Sequence, residues 1–291
     1  SGTPGSLLAA NGKLFVVTRE GQITCFGDKK VSQPLTLRPS RAQAPSYNHD
    51  RWDPIASQLL VRSKTVEGYC LVLGLVDGGL VQALLQQSRF KMIVVDRDHQ
   101  RIDQLRQRLI DQGEYGVRAE LFVGDPATFG APPWLASLIV NEMPSADCLS
   151  YMPRLLEWLH PYGGIACLKG ADQDYAAYHQ REEAARAEKV RIERSHGFVT
   201  LVREGPLPGS APWTHESADA ARTFFSRDQR IKQPLGVLWY GDGPDHGFFK
   251  EHDYGTGVKP QVVGGRVFAL QIHTNTLHAY DAYNGRLLWK K

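Results

Sequence analysis

The sequence predicts a three-layer α/β domain with a largely parallel sheet, inserted between two all-β segments. In the middle of the chain, strands alternate with helical stretches, which is typical of βαβ units. At both ends, short runs of β-branched and aromatic residues alternate with Asn-Gly and Gly-Gly turns, which indicates hairpins. The changeovers fall in loops rich in turn formers, so we expect all-β segments at 1–45 and 206–291 and the α/β domain at 46–205.

Composition and charge limit the classes of function that the chain can have. Its 291 residues are enough for two domains, and the hydrophobic and charged fractions of 42% and 22% are ordinary for a globular protein. No apolar run is long enough to cross a bilayer, so no membrane span is predicted. Lysine and arginine total 34 against 31 aspartate and glutamate residues, and this small excess indicates no nucleic-acid partner.

The spacing of cysteines and histidines predicts neither a disulfide framework nor a metal site. The cysteines lie far apart and form no pair of metal-ligand spacing, so we expect four buried thiols: Cys25, Cys70, Cys148 and Cys167. His246, His252 and Asp253 are near each other in a glycine-rich region, but their spacing fits no zinc pattern. No metal is therefore expected.

The two ends of the chain are similar to each other. Residues 11–17 and 21–26 near the start match residues 264–270 and 275–280 near the end. In both places, two short strands with alternating residue types are separated by tight turns. We therefore expect each end to form a meander of short antiparallel strands.

The end of the chain continues this pattern through a turn at Asn284-Gly285 to a strand that ends at Trp289. This segment resembles the PQQ-like β-propeller repeat, whose blades follow the pattern G-G-x-V/L-F to N-G-x-x-L-W. A further partial blade is expected between residues 213 and 240, with an aromatic strand at 234–240. The resemblance implies no quinone, because most such repeats are structural and no metal-ligand cluster lies beside a tryptophan.

The propeller resemblance also implies that the sheets need partners. The all-β segments supply about two blades, whereas closed propellers need at least about four. Bare sheet edges are prone to aggregation. We therefore expect further blades in a longer chain, a protein partner, or a second copy that completes the sheets.

The first strand of the inserted domain, at 69–74, ends in a glycine-rich bend followed by a helix at 80–85. The next strand ends in Asp96, and 96 − 74 = 22 residues separate this aspartate from Gly74. A glycine bend that opens a helix, with an acidic residue at the next strand end, favours a nucleoside site in which the carboxylate accepts both ribose hydroxyls. Two plainer interpretations stay open: Asp96 caps the next helix, and the glycines only form a tight turn.

Two further strands end in polar residues. The strand at 119–123 is followed by Asp125, and the strand at 135–140 is followed by Asn141 and Glu142. The carboxyl ends of parallel strands meet at one edge of the sheet, where ligands bind. Asp125 could reach an adenine amino group there, or it could simply initiate the turn before Pro126.

The domain closes with a strand at 164–168, a helix at 175–189 and two strands at 190–194 and 198–202. From the first glycine to Arg203, this stretch resembles the class I methyltransferases, which also end in a long helix and a hairpin. The resemblance implies a Rossmann-like fold that binds S-adenosylmethionine. The residues that it places in the cofactor pocket are Gly74, Asp77, Gly78, Asp96, Asp125 and Asn141.

The sequence also departs from the pattern of that family. No acidic residue precedes Gly74, and Val76 stands where glycine is common. The motif Asn141-Glu142-Met143-Pro144 only loosely resembles the Asn-Pro-Pro-aromatic element of amino-group methyltransferases, so no catalytic base is secure. What likeness there is makes Asn141 and Glu142 the candidate catalytic residues.

Three functional hypotheses follow. The first is an S-adenosylmethionine-dependent methyltransferase of unknown acceptor, embedded in a propeller protein. The second is a catalytically inactive methyltransferase-like module in a scaffold used for protein contacts. The third, a nicotinamide-dependent oxidoreductase, is disfavoured by the closing helix and hairpin. Ser1-Gly2-Thr3-Pro4 is no basic and apolar leader, so the compartment stays open: cytoplasmic for an active enzyme, periplasmic or secreted if a signal peptide precedes this sequence.

Overall fold

The computed structural model describes most of the chain. The described residues are 2–19, 21–29, 31–33, 35–36, 47–143, 145–170, 172–195, 197–244, 247–248 and 258–291. The chain forms two compact units, Ser1–Ser40 and Arg41–Lys291. The predicted domain boundaries at residues 45 and 205 stay predictions, and residue 45 lies outside the described residues.

The first unit contains three antiparallel strands in the order β1-β2-β3. They are β1 (Pro4–Ala10), β2 (Lys13–Thr18) and β3 (Ile23–Phe26). Asn11 and Gly12 join β1 to β2 with φ angles of 50° and 68°, as a tight hairpin turn requires. The predicted meander at the start of the chain is confirmed.

One of the four thiols differs from expectation. Cys25, on β3, is exposed, whereas Cys70, Cys148 and Cys167 are buried. The prediction that all four are buried is wrong for Cys25 because it lies in a strand whose four residues are all exposed. Burial raises the pKa of the Cys148 thiol to about 11 and that of Cys167 to about 12, so neither forms a reactive thiolate at neutral pH.

We therefore expect an aromatic disulfide reagent to modify Cys25 alone in the native protein at pH 8. The three buried thiols should react only after denaturation, because the reagent needs access to a thiolate. Absorbance of the released thiophenolate counts the reacted groups, and a Cys25→Ser variant is the control. Rapid reaction of any thiol in the native Cys25→Ser protein would contradict this burial.

The second unit contains the remaining helices and strands. They are α1 (His49–Ser63), β4 (Glu67–Leu73), α2 (Gly79–Gln87), β5 (Arg89–Asp96), α3 (His99–Asp111), β6 (Ala119–Val123), β7 (Ala136–Asn141), α4 (Ser145–Cys148), α5 (Met152–Trp158), β8 (Ile165–Lys169), α6 (Asp172–His179), α7 (Glu182–Ala187), β9 (Val190–Ser195), β10 (Phe198–Arg203), β11 (Gln261–Val263), β12 (Arg266–Gln271), β13 (Thr276–Asp281) and β14 (Leu287–Lys290). Every strand predicted in the α/β domain is present, with ends shifted by at most three residues.

The main sheet has seven strands in the order β6-β5-β4-β7-β8-β10-β9. Strands β4 to β8 are parallel to one another, and β10 runs antiparallel to both of its neighbours. The strand order reverses between β4 and β7, which lie side by side. In open α/β sheets, a crevice forms at the carboxyl ends of the strands at such a switch point. The architecture is a Rossmann-like mixed sheet, as predicted.

Helices cover both faces of this sheet. Successive residues of β4 point to opposite faces: Cys70 and Val72 belong to one core with α1, α2 and α3, while Leu71 and Leu73 belong to the other with α5. A strand buried on both faces has a continuous apolar sequence, which is why 69–73 contains no charged residue.

The predicted helix at 175–189 is two helices. Arg181 N–H bonds to the carbonyl of Tyr178, three residues back instead of four, at 2.9 Å. This tighter bond ends α6 near His179, and α7 begins at Glu182.

The chain ends in a four-stranded antiparallel sheet, β11-β12-β13-β14. This confirms the predicted meander, and Trp213 adds an isolated bridge to Val262. The strand expected at 234–240 is not formed, so the prediction of that part of the partial blade is wrong. Instead, the Trp239 indole N–H donates to the Ala282 carbonyl at 2.9 Å, which anchors this segment by a side chain and not by a strand ladder.

In the described part of the chain, no helix is long and apolar enough to span a bilayer. Among the same residues, no group of three or more His, Cys, Asp or Glu side chains is arranged so that it could hold a metal ion. His246, His252 and Asp253, the residues considered for a metal, lie outside the described ranges.

Candidate functional site

The bend after β4 lies at the switch point of the sheet. Gly74 has a φ of +73°, a conformation that favours glycine, and its N–H donates to the Val95 carbonyl at 2.8 Å. The next amide, Leu75 N–H, donates to Asp96 Oδ2 at 2.6 Å. The bend is therefore bound to the end of β5, and Asp96 points towards it.

Asp96 is 3% exposed and accepts several hydrogen bonds. Its Oδ1 accepts from Asp98 N–H at 2.6 Å, and Arg101 Nη2 lies 3.6 Å away. Arg101 also donates to the Leu75 carbonyl, so this arginine joins α3 to the bend. The helix cap at α3 is a different residue, Asp98, whose side chain accepts from Gln100 and Arg101 N–H. Asp96 consequently does not act as that cap.

Asn141 pairs with Leu73 across β4 and β7, which brings it to the same edge. Its Nδ2 donates to the Met143 carbonyl at 2.8 Å and to Cys148 Sγ at 2.9 Å, and its Oδ1 accepts from Met143 N–H at 3.1 Å. These bonds shape the turn Asn141–Met143, which we call the β7 turn. Pro144 lies outside the described residues.

Glu142 reaches across to the bend. It is 7% exposed, and its Oε2 accepts from Val76 N–H at 2.9 Å, while Oε1 has no hydrogen-bond partner. The pKa of the Glu142 carboxyl is raised to about 7, mainly by burial; the Asp77 and Asp96 carboxylates also raise it, while Val76 N–H and the Arg51 guanidinium lower it.

A small cavity opens between the bend and the β7 turn. Its volume is about 80 Å³, whereas pockets for small molecules have roughly 300–1,000 Å³. The lining residues are Leu73, Gly74, Asp96, Arg97, Arg101, Pro126, Asn141, Met143, Asp147 and Tyr151. Three of the six residues predicted for the cofactor pocket therefore line it together: Gly74, Asp96 and Asn141.

Asp77 and Gly78 do not line this cavity. Asp77 Oδ1 accepts from the N–H of Gly79, the first residue of α2, at 2.7 Å, and its Oδ2 accepts from the Trp52 indole N–H at 3.2 Å. Gly78 has a φ of +77°, and a Cβ there would lie 2.9 Å from Leu105 Cδ1 on α3. These residues pack the bend against α1 and α3 because short side chains allow a close approach there.

Asp125 also lies outside the cavity lining. It is paired with Arg97 at 2.8 Å, and its carboxylate accepts from Ala127 N–H at 2.9 Å, as a turn-initiating aspartate does. The Arg97 guanidinium holds the pKa of the Asp125 carboxyl below its ordinary value. The neighbouring Pro126 contributes to the cavity instead.

Sequence reasoning missed three residues that shape the site: Arg101, Met143 and Tyr151. Arg101 lies near the start of α3, where its guanidinium donates to the Leu75 carbonyl in the bend. Arg108 likewise donates to the Asp77 carbonyl. The available signal was that Arg101 and Arg108 lie about two turns apart on the helix that follows the acidic strand end, so both are on the same side of that helix. Tyr151 Oη lies 2.9 Å from Cys148 Sγ, and nothing in the local sequence indicated this contact.

A larger cavity, of about 830 Å³, lies at the opposite edge of the main sheet. Two pairs of its charged side chains are in contact: Arg286 Nη1 is 3.2 Å from Glu67 Oε1, and His160 Nε2 is 2.8 Å from Asp281 Oδ2. Ligands of parallel α/β sheets bind at the carboxyl edge, so the small cavity at the switch point is the stronger candidate despite its size.

The chain is similar to several solved methyltransferase structures at low identity. An S-adenosylmethionine-dependent O-methyltransferase from Thermotoga maritima matches at 10% identity over 69% of this chain and 86% of that chain, with a TM-score of 0.41. An RNA methyltransferase from Salinibacter ruber, in complex with S-adenosyl-L-homocysteine, matches at 17% over 53% of this chain and 94% of that chain, with a TM-score of 0.39.

A dimethyladenosine transferase from Plasmodium falciparum matches at 15% over 51% of this chain, with a TM-score of 0.39. This chain spans 59% of the length of that protein. No protein-family model matches the sequence, and no curated protein matches it. Likenesses of this size establish no shared activity.

Proposed function

We propose that the α/β body is an S-adenosylmethionine-dependent methyltransferase domain whose cofactor binds at the carboxyl edge, between β4, β5 and β7. The observation that carries the proposal is that a glycine bend and an acidic strand end lie next to each other at the switch point. The hydrogen bond from Leu75 N–H to the Asp96 carboxylate joins them. Asn141 adds a further polar side chain at the same edge. The acceptor of the methyl group is not specified by these residues.

The donor set suits the nucleoside part of the cofactor. A carboxylate offers about four lone-pair sites, so Asp96 can accept ribose hydroxyls in addition to its two backbone amides. The volume does not suit the whole cofactor, because Met143 lies directly over Gly74 in the form described here. Methyl transfer from a sulfonium proceeds largely by alignment of donor and acceptor, so the lack of a secure catalytic base does not count against the proposal.

The order of the strands supports this proposal over a nicotinamide-dependent enzyme. Numbered in chain order with β4 as strand 1, the strands of the main sheet read 3-2-1-4-5-7-6, and strand 7 runs antiparallel to both of its neighbours. Dinucleotide-binding domains have the order 3-2-1-4-5-6. The closing hairpin of β9 and β10 is the feature that the methyltransferase resemblance implied.

A second candidate is a catalytically inactive module that serves protein contacts. The hydrogen bonds of the bend favour it, because two of its amides are already satisfied within the chain, Leu75 N–H by Asp96 and Val76 N–H by Glu142. A site that satisfies its own donors gains less from a ligand. A methylated product found by mass spectrometry would exclude this candidate.

We also propose that the terminal sheets are blades of a PQQ-like propeller. The four-stranded meander β11–β14 supports this, with Trp289 on the last strand beside Phe268 at 5.9 Å between ring centroids. Further blades, a protein partner or a second copy would then complete the ring. Size-exclusion chromatography with light scattering tests the last of these.

Calorimetric titration with S-adenosylhomocysteine tests the methyltransferase proposal. We expect measurable binding below millimolar ligand, weakened at least about tenfold by Asp96→Asn, because a hydrogen bond to a charged group contributes roughly 1.5–3 kcal/mol. Asp103→Asn is the matched control, since this aspartate is exposed on α3 and does not line the cavity. It should bind as the unaltered protein does.

The proposal fails if neither the unaltered protein nor a Glu142→Ala variant binds at millimolar S-adenosylhomocysteine. It also fails if Asp96→Asn and Asp103→Asn bind equally well, because the ligand would then be held elsewhere. Circular dichroism of each variant establishes that the fold is retained.

A further inference from the structure

The β7 turn occupies the space above the glycine bend. A Cβ placed on Gly74 would lie 2.3 Å from Met143 Cγ, so the methionine side chain is in contact with the bend. The same methionine lines the cavity, whose volume is only about 80 Å³. This residue therefore fills space that a ligand longer than a few atoms would need.

Glu142, the neighbour of Met143, occupies an anion position. Val76 N–H belongs to the bend that leads into α2, and amides before the start of a helix attract negative charge. The Glu142 carboxylate fills this position: its Oε2 accepts from Val76 N–H at 2.9 Å, although the two residues are 66 positions apart in the sequence. A ligand carboxylate at the same place would have to displace it.

The contacts of Glu142 are incomplete. The residue is 7% exposed, and its Oε1 has no hydrogen-bond partner. A buried carboxylate oxygen without a partner costs free energy, so only one of the two oxygens is favourably placed. The charged groups that face it are the carboxylates of Asp77 and Asp96, which repel it, and the Arg51 guanidinium, which attracts it. The turn is thus held in the site by few favourable contacts.

We infer that Glu142 and Met143 form an internal plug that competes with the amino-acid tail of the cofactor. This inference rests on the proposed methyltransferase function. Glu142 takes the backbone amide that the tail carboxylate would use, and Met143 fills the volume of the tail. Binding requires the β7 turn to move away from the bend. The apparent affinity is therefore the intrinsic affinity multiplied by the fraction of molecules in which the turn has moved away.

The two parts of the ligand should therefore respond differently to the plug. S-adenosylhomocysteine carries the nucleoside and the amino-acid tail, whereas 5′-methylthioadenosine carries the nucleoside without a tail carboxylate. Removing the Glu142 carboxylate should tighten the binding of S-adenosylhomocysteine only. Shortening Met143 should enlarge the space for the tail and should therefore also tighten the binding of S-adenosylhomocysteine.

Calorimetric titration of both ligands into the full chain and three variants tests the plug. We expect Glu142→Ala to bind S-adenosylhomocysteine about tenfold more tightly than the unaltered protein and 5′-methylthioadenosine with unchanged affinity. Met143→Ala should tighten the binding of S-adenosylhomocysteine as well. Glu120→Ala removes an exposed carboxylate on β6 and should change neither affinity.

The outcomes separate the plug from the function on which it rests. If the unaltered protein binds S-adenosylhomocysteine and neither variant of the plug binds it more tightly, the plug is refuted and the function stands. If Glu142→Ala tightens both ligands equally, competition with the tail is refuted, because the effect would come from general loosening. If no protein binds either ligand, the proposed function fails together with the plug.

Discussion

Replacing Glu142 with glutamine is expected to stabilise the protein at neutral pH relative to the unaltered chain. The carboxyl has a pKa of about 7 in the folded protein against an ordinary value of 4.5, mainly because it is buried. A group whose folded pKa is raised favours the folded state at low pH and loses this contribution as the pH rises from 4.5 to 7. The loss amounts to roughly 3 kcal/mol in the free energy of unfolding.

Urea denaturation at several values of pH measures this effect. The unfolding free energies of Glu142→Gln and of the unaltered protein should be closest below pH 4.5 and should separate up to pH 7, with the variant the more stable. Glutamine keeps the shape of the side chain and can still accept from Val76 N–H, so packing is preserved. Glu120→Gln is the control for removing a surface carboxylate. Parallel pH curves for Glu142→Gln and the unaltered protein would show that Glu142 titrates normally.

Replacing Asp281 with alanine is expected to destabilise the second unit by about 3 kcal/mol, because it leaves buried donors without an acceptor. Asp281 is 8% exposed, and its carboxylate accepts from Tyr283 N–H at 2.9 Å and Asn284 N–H at 3.2 Å. His160 Nε2 lies 2.8 Å away, between α5 and β8, so the pair joins the main sheet to the C-terminal sheet. The pKa of the Asp281 carboxyl lies below its ordinary value. Burial acts to raise this pKa, but His160 and the two backbone amides outweigh that effect.

A group whose folded pKa is lowered stabilises the protein above its ordinary pKa and loses this contribution as the pH falls through the folded value. The destabilisation by Asp281→Ala should therefore be full at neutral pH and diminish in acid. Asp242→Ala is the matched control, since its carboxylate pairs with Lys91 at 3.3 Å in an exposed position, where such pairs contribute less than about 1 kcal/mol. Equal losses for the two variants in urea denaturation at pH 7 would contradict a special role for Asp281. A double-mutant cycle with His160→Ala measures the coupling within the pair.

The sequence predicted much of the fold because the relevant signals are local. A run such as 69–73, apolar on every residue, followed by a glycine bend and a helix, indicates a central parallel strand whatever surrounds it. The hairpins at the ends were predictable from Asn11-Gly12 and Asn284-Gly285 for the same reason. The segment 234–240 also ends in aromatic residues, Trp239 and Tyr240, but a strand needs a neighbouring strand to pair with. Here the Trp239 indole N–H instead donates to the Ala282 carbonyl.

The candidate site was predicted only in part. Gly74, Asp96 and Asn141 could be placed together because each ends a strand and parallel strands end at one edge. The resemblance could not show that Asp77 turns to α2 and Trp52, or that Asp125 binds Arg97, because both depend on which side chain is nearest after packing.

The sequence by itself determined the order of strands and helices, the position of the glycine bend and the set of polar strand ends. These follow from residue patterns within a few positions of one another, where burial and backbone geometry act locally. Only the tertiary structure decided that the bend is closed by Glu142, 66 residues further on, and covered by Met143. That contact depends on the pairing of Leu73 with Asn141 across β4 and β7, and no local pattern encodes the register between two strands so far apart.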